Sequence, residues 1–221
     1  ITFVHNGNIF KMSTYGDLMI QLTFFNSECR YPSWNPEGDK IAFLSESKLY
    51  TIHSEGGTPS VLVEKDIGYV ADWASSSEIF YHKSGNRNFY IYNLITKENK
   101  LLVSNDSVGW MFNPRLSPDN SKTAIFWNRT RLIINEISYG IWAISRKDSS
   151  QKLIIKGMKY PLNWSQDGKW IYATEYNKTP VEIFMVNVNT GLTKIIFSLP
   201  FGEMNVFDVD ITPDGKTIVC A

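Results

Sequence analysis

The chain has 221 residues, with 22 Lys plus Arg balancing 22 Asp plus Glu, and 14% of it is aromatic. Charge balance leaves no surplus of positive charge to neutralise a phosphate backbone, so nucleic acid is not expected as a partner. No apolar run approaches the roughly 18 residues of a membrane helix, so no membrane insertion is expected. The wealth of Trp, Tyr and Phe, with hardly a stretch of good helix formers, points to an all-β fold, and the length suits one domain with a substantial core.

In chain order, Ile1 to His5, Asn8 to Ser13 and Leu18 to Phe24 are strand-like runs. The chain opens inside the first of them, without an initiator Met or a charged-then-apolar leader, and so reads as a processed or trimmed product. Tyr31-Pro32-Ser33-Trp34-Asn35-Pro36-Glu37-Gly38-Asp39-Lys40-Ile41-Ala42-Phe43 is then the fullest copy of a recurring pattern: an aromatic-Pro step, a strand ending in Trp, a tight polar turn and an apolar strand. Runs from Lys40 to Ser45, Leu49 to His53 and Ser60 to Val63 complete that unit. Val70-Ala71-Asp72-Trp73 followed by Glu78-Ile79-Phe80-Tyr81 is a degenerate copy without Pro or Gly, Asn113 to Asn120 repeats the turn, and Tyr160 to Tyr172 is a second full copy. Val206 to Thr212 and Lys216 to Ala221 close the chain with two more strands.

Taking Trp34, Trp73, Leu116, Trp164 and Ile211 as equivalent gives spacings of 39, 43, 48 and 47 residues. Intervals of this length, each holding four short strands, are those of propeller blades. Pro36, Pro118 and Pro213 preset φ at the corner, and Gly38, Gly168 and Gly215 supply positive φ. Strands such as Lys40-Ile41-Ala42-Phe43-Leu44 are apolar on both sides of the pleat, which suits a sheet sandwiched between neighbours. The expected fold is therefore an all-β propeller of four-stranded antiparallel blades over residues 1–221, five or six in number. Complete repeats fall at about 31–63, 69–104, 112–156 and 160–199, with partial repeats at 1–25 and 206–221.

At these residues the chain resembles the TolB-like propeller repeat family, whose units run aromatic-Pro-x-Trp-Ser-Pro-Asp-Gly-Lys-x-Ile-x-Phe and continue into a Leu-Tyr or Ile-Trp strand. Lys48-Leu49-Tyr50 with Gly56-Gly57, and Gly140-Ile141-Trp142 with Asp148, occupy the later part. The pattern departs at Trp73 to Glu78, which lacks the Pro-Asp-Gly turn, and at Leu116, which replaces Trp. The resemblance implies a bacterial, periplasmic or extracellular setting and a non-enzymatic role in binding proteins or peptides. It also leaves open the non-catalytic propeller domain of a larger hydrolase or lyase, since related repeats serve as the gating or substrate-binding propeller of larger peptidases.

The residues give no catalytic reading. No Gly-x-Ser-x-Gly elbow is present, and Ser45 to Lys48 and Ser149 to Lys152 are turns, where Ser and Lys three apart do not meet. Trp34, Trp73, Trp164, Phe43, Phe80, Phe126 and Tyr172 track the repeat and read as core. His5, His53 and His82 have no ligand spacing, so neither a metal nor another cofactor is expected. Asp208 and Asp210 alternate on one strand and share a face, and a channel they lined would most simply hold water. The Asn-x-Ser/Thr triplets at Asn105, Asn128, Asn163 and Asn177 carry little weight. Cys29 and Cys220 read as reduced, packed thiols, with one bridge as the alternative.

Function is expected at the loops. In a propeller the connections from second to third strand, and from each blade to the next, emerge on one face. That face would gather Arg30, Tyr31, Tyr69, Trp110, Arg129, Arg131, Tyr160, Phe201 and Glu203, the aromatic and Arg composition of a protein or peptide recognition surface. Asn128 to Tyr139, where one such connection lengthens, reads either as a binding edge or as an extended hairpin.

Overall fold

The computed structural model describes residues 1–13, 15–86, 88–104, 109–131, 136–175, 178–199, 209–212 and 214–220, and among these every regular element is a strand. The chain divides into two compact units, Ile1–Ser104 and Asn105–Ala221. In the first, β1 (Thr2–His5), β2 (Asn8–Lys11) and β3 (Ile20–Gln21) form a three-stranded sheet. Two four-stranded sheets follow: β4 (Arg30–Trp34), β5 (Lys40–Ser45), β6 (Lys48–His53) and β7 (Ser60–Val63), then β8 (Ile67–Ser75), β9 (Glu78–Lys83), β10 (Phe89–Asn93) and β11 (Asn99–Val103). The second unit holds β12 (Met111–Leu116), β13 (Lys122–Arg131), β14 (Glu136–Ser145) and β15 (Gln151–Lys156) in one sheet. Its next sheet is β16 (Lys159–Trp164), β17 (Trp170–Glu175), β18 (Val181–Asn187) and β19 (Thr193–Leu199), and a two-stranded sheet of β20 (Val209–Ile211) and β21 (Ile218–Cys220) ends it. Every sheet pairs its strands antiparallel in chain order, so the fold class is all-β with the four-stranded blades of a β-propeller.

The repeated turn explains why the chain folds back at the same place in each blade. One side-chain oxygen just after the first strand accepts the N–H five residues on: Asn35 Oδ1 from Lys40 at 2.8 Å, Ser117 Oγ from Lys122 at 2.9 Å, Ser165 Oγ from Trp170 at 3.0 Å and Thr212 Oγ1 from Thr217 at 3.1 Å. Each of those three hydroxyls also donates to an aspartate two residues on, Asp119, Asp167 or Asp214, at 2.6 to 2.7 Å. The corner needs positive φ, and Gly38, Asn120, Gly168 and Gly215 supply it at equivalent positions with φ of 73°, 58°, 67° and 71°. The copy at Trp73 has Ala74 where this oxygen would stand, and its turn is shorter, with Ser77 N–H reaching Ser75 Oγ at 3.3 Å. All four complete sheets share one more tie, from the third-strand end back to the residue before the second strand: Ser54 to Asp39, Leu94 to Ser77, Arg146 to Ser121 and Val188 to Lys169, at 2.7 to 3.0 Å.

The inner strands of adjacent sheets are joined by the repeat tryptophan. Trp73 Nε1 donates to Ser33 O at 2.9 Å, and Trp164 Nε1 donates to Arg115 O at 2.8 Å. Apolar faces fill the space behind these bonds, Ala42, Leu49, Ile79 and Tyr81 in the first unit and Ala124, Ile141, Ile171 and Phe184 in the second. Phe43, Phe80, Phe126 and Tyr172 are buried as expected, whereas Trp34 is half-buried against the cluster around Ile41 and Phe43. Cys29 is buried and free, and burial raises its thiol pKa.

The third strand of the first sheet, β3, is shorter than its sequence run. Ile20 and Gln21 pair with β2 and Leu22 N–H still reaches Ile9 O at 2.8 Å, but Thr23 Oγ1 then accepts Ile9 N–H at 2.8 Å, and the Asn8 side chain accepts Phe25 N–H at 2.8 Å and donates to Phe25 O at 3.3 Å. Thr23 and Asn8 together thereby end the ladder.

Two predictions follow from these turns and ties. Trp164→Phe keeps an aromatic ring, though a smaller one, and leaves Arg115 O without its donor, costing about 1 kcal/mol or more, whereas Trp164→Ala costs ~3–5 kcal/mol; a Phe variant as stable as the parent in urea unfolding would show that the indole bond contributes nothing. Hydrogen bonds from Ser117 first, and then from Ser121, hold Asp119 at about 2, below the ordinary carboxylate range. Its stabilisation is therefore complete above the unfolded pKa of roughly 4 and disappears as pH falls through about 2. Asp119→Ala should lower the urea midpoint at pH 7, and the gap to the parent should close across that window; a gap independent of pH would remove the carboxylate from this account.

Candidate binding surface

In the first unit, main-chain bonds tie the interblade connections to the second-to-third-strand turns. Cys29 N–H donates to Gly7 O at 2.7 Å, Ile67 N–H to Ser47 O at 3.0 Å and Ser84 N–H to Asp66 O at 3.0 Å. Ser27 Oγ and Ser45 Oγ lie 2.8 Å apart, and Ser45 Oγ donates to Glu28 O at 3.2 Å. This end of the unit is thus a set of short loops fixed by backbone and small hydroxyls, a rigid base for exposed side chains.

Arg30 and Tyr31 stand on that base. Arg30 is exposed and paired with Glu28, and Tyr31 is 41% exposed. Tyr31 takes φ of 54°, a left-handed conformation that costs a non-glycine residue roughly 1–2 kcal/mol, at the bulge where β4 shifts register against β5. Asn113 adopts the same conformation, φ 46°, at the bulge of β12, again before a proline. Tyr160 has no such twist: it is 6% exposed and stacks on Phe126 with ring centroids 4.1 Å apart. An aromatic-Pro step therefore points outward or inward according to where its bulge falls.

In the second unit, Trp110 is half-buried, and its main chain is clamped by Asn128: Trp110 N–H donates to Asn128 Oδ1, and Asn128 N–H donates to Trp110 O at 3.1 Å. Arg129 is 7% exposed, its guanidinium carbon 4.7 Å from the Trp127 ring and 5.1 Å from the Trp142 ring. It sits opposite Ser138, because β13 and β14 stay in register from Lys122 with Ser145 out to Arg131 with Glu136. The lengthened connection is thus an extended hairpin, its strands reaching Arg131 and Glu136. Backbone alone is described for Tyr69 in β8 and Arg131 in β13, and Phe201 and Glu203 lie outside the described residues, as does Asp208.

A lysine and glutamate group on the β17 to β18 side of this unit was not apparent in the sequence. Lys159 Nζ lies 3.1 Å from Glu175, Lys178 lies 3.9 Å from Glu175 and pairs with Glu182 at 2.5 Å, and the Glu182 bond raises the Lys178 pKa. The four are scattered over 24 positions of chain, so only the strand register reveals them.

The histidines do not meet. His5 packs edge-on to Phe10, His53 Nδ1 accepts Glu55 N–H at 3.1 Å, and His82 is buried edge-on to Phe89. No cluster of three His, Cys, Asp or Glu suited to a metal occurs among the described residues. Nor is any helix there long and apolar enough to cross a membrane.

No family model and no curated protein matches the chain. Among solved structures, TolB from Acinetobacter baumannii is similar at 18% identity and a TM-score of 0.77, over 98% of this chain and 56% of that one. The chain thus spans little more than half the length of that TolB. A putative TolB from Agrobacterium tumefaciens is similar at 16% identity and a TM-score of 0.73, over 92% of this chain and 73% of that one. An oligogalacturonate lyase in complex with manganese is similar at 13% identity and a TM-score of 0.53, over 99% of this chain and 76% of that one. At such identities the likeness is one of fold. The fold is a β-propeller, and specifically a TolB-like one.

Arg129→Met tests the role of the buried cation. It keeps the apolar stem and removes the charge held against two neighbouring indoles, so the expected loss is about 1–2 kcal/mol with a change in Trp fluorescence; unaltered stability and emission would remove the cation–π contacts from the account.

Proposed function

We propose that the chain is a non-enzymatic protein- or peptide-binding module of the TolB-like propeller type, acting in a bacterial periplasmic or extracellular setting. The observation that carries this reading is Tyr31: a partly exposed aromatic residue beside Arg30, on a backbone conformation that costs energy, at the end of the first unit where the loops are tied down by main-chain bonds. Strained, exposed aromatic positions beside Arg are a common feature of recognition surfaces. Trp110 is the corresponding anchor of the second unit. On sequence grounds Tyr69 belongs to the proposed surface of the first unit and Arg131, Phe201 and Glu203 to that of the second, whereas Arg129 and Tyr160 are buried, at 7% and 6% exposed.

The test is a peptide display selection on the intact chain, followed by affinity measurement. Tyr31→Ala and Trp110→Ala should each leave the chain folded, and at Trp110 the loop bonds made by the main chain stay in place. Each should weaken the selected peptides by about 10-fold or more. Peptides indifferent to both changes would overturn this surface.

A second reading is favoured by the fold-level likeness to the oligogalacturonate lyase: a non-catalytic propeller domain of a larger hydrolase or lyase. A Gly-x-Ser-x-Gly domain encoded in the same reading frame would decide for it.

A further inference from the structure

A second site, independent of the loop-tip surface, lies along the outer edge of the first sheet. Residues 22–26 continue β3 as an irregular edge. Thr23 is turned inward, its Oγ1 accepting Ile9 N–H at 2.8 Å and donating to Asn8 Oδ1 at 3.0 Å, and Phe25 is bound on both its main-chain groups by Asn8. Between them, the main-chain N–H and C=O of Phe24 make no hydrogen bond among the described residues, and its ring is 80% exposed. A strand edge with one donor and one acceptor left open is a template for another extended chain.

Beside this edge runs a groove of about 360 Å³, lined by Leu22, Phe24, Phe25, Gly57, Pro59 and Glu46 among others. A groove of this size matches the lower range of ligand sites. It is also firmly built: Leu22 is 2% exposed, and Phe25 packs edge-on to Phe43 at 5.7 Å and to Tyr50 at 5.1 Å. Its one charged lining residue is Glu46, whose side chain is 49% exposed and lies 3.5 Å from Lys48. An apolar wall, an open main-chain pair and a single carboxylate define a complementary ligand.

We propose that this groove binds an extended peptide segment that pairs its main chain with Phe24, seats an apolar side chain on Leu22 and Phe25, and sets a Lys or Arg against Glu46. Main-chain pairing supplies affinity, and the carboxylate selects basic over acidic segments.

Three blocked hexapeptides test this against the intact chain by amide chemical-shift titration. The first is acetyl-Thr-Leu-Thr-Lys-Thr-Thr-amide, the second carries Glu in place of Lys, and the third is the first with an N-methyl group on the Leu nitrogen. The Lys peptide should shift the amides of Phe24, Asn26 and Glu46, and the other two should bind about 10-fold more weakly. Glu46→Lys, on an exposed turn, should reverse the preference between the Lys and Glu peptides. No shift at any peptide concentration up to the millimolar range, binding indifferent to peptide charge, or shifts centred on Arg30 and Tyr31 would each overturn the groove assignment. The last result would leave the loop-tip surface standing, whereas loss of that surface has no bearing on shifts at Phe24.

Discussion

A sheet that is apolar on both faces cannot stand alone, and in each unit the structure follows from how a second face is hidden. β5 has one partly exposed residue, Lys40, and five buried ones in succession, so no orientation of that strand leaves a solvent side. Stacking sheet on sheet solves this, but apolar contact is non-directional and sets no register between blades. The indole N–H of Trp73 or Trp164 adds direction, reaching one carbonyl of the preceding inner strand. Because that carbonyl belongs to the residue just before the repeat's own marker position, the β8 and β16 sheets are each indexed against the sheet before them by the same residue of the pattern.

With the blades indexed by their inner strands, the two ends of each unit do different work. At the end carrying the Asp-containing turns, side-chain oxygens are spent on the chain's own N–H groups: Asp119, Asp167 and Asp214 each accept from a hydroxyl and from a main-chain donor. Their carboxylates are thereby committed to turn geometry. At the opposite end of the first unit the ties are mainly main chain to main chain, as at Gly7, Ser47 and Asp66. Side chains such as Arg30 and Tyr31 are then left partly or largely exposed on a stiff support, and this division is why recognition is proposed there.

The strands, turns and repeat spacing were legible because they depend on local chemistry. Asn35, Ser117, Ser165 and Thr212 are all short side chains with an oxygen, and each caps an N–H five residues along, so sequence position maps directly onto structure. The binding residues were less legible because their orientation depends on features without a residue signature. Arg129 was read as part of a lengthened loop, yet Trp127 and Arg129 alternate on one side of β13, and the pleat that buries one buries the other. That alternation was visible in the sequence; the pairing of Arg129 with Trp142 across the hairpin was not. The edge at Phe24 was hidden for another reason: a run from Leu18 to Phe24 reads as one strand, and it is the side chains of Thr23 and of Asn8, far upstream, that replace the main-chain ladder after Leu22.

The three residues before the repeat prolines show how one motif yields different outcomes. In β4 and β12 the bulge begins just before the proline, and Tyr31 and Asn113 are forced into the left-handed region; in β16 the register shifts only between Pro161 and Asn163, and Tyr160 stays extended and packs inward. Asn tolerates that region well, because its short polar side chain bonds locally. Tyr does so less readily, and at position 31 the residue is left 41% exposed. The twist at Asn113 needs no function to explain it, whereas the same twist under Tyr31 sets a partly exposed Tyr at the loop end of the first unit, the placement on which the proposed surface rests.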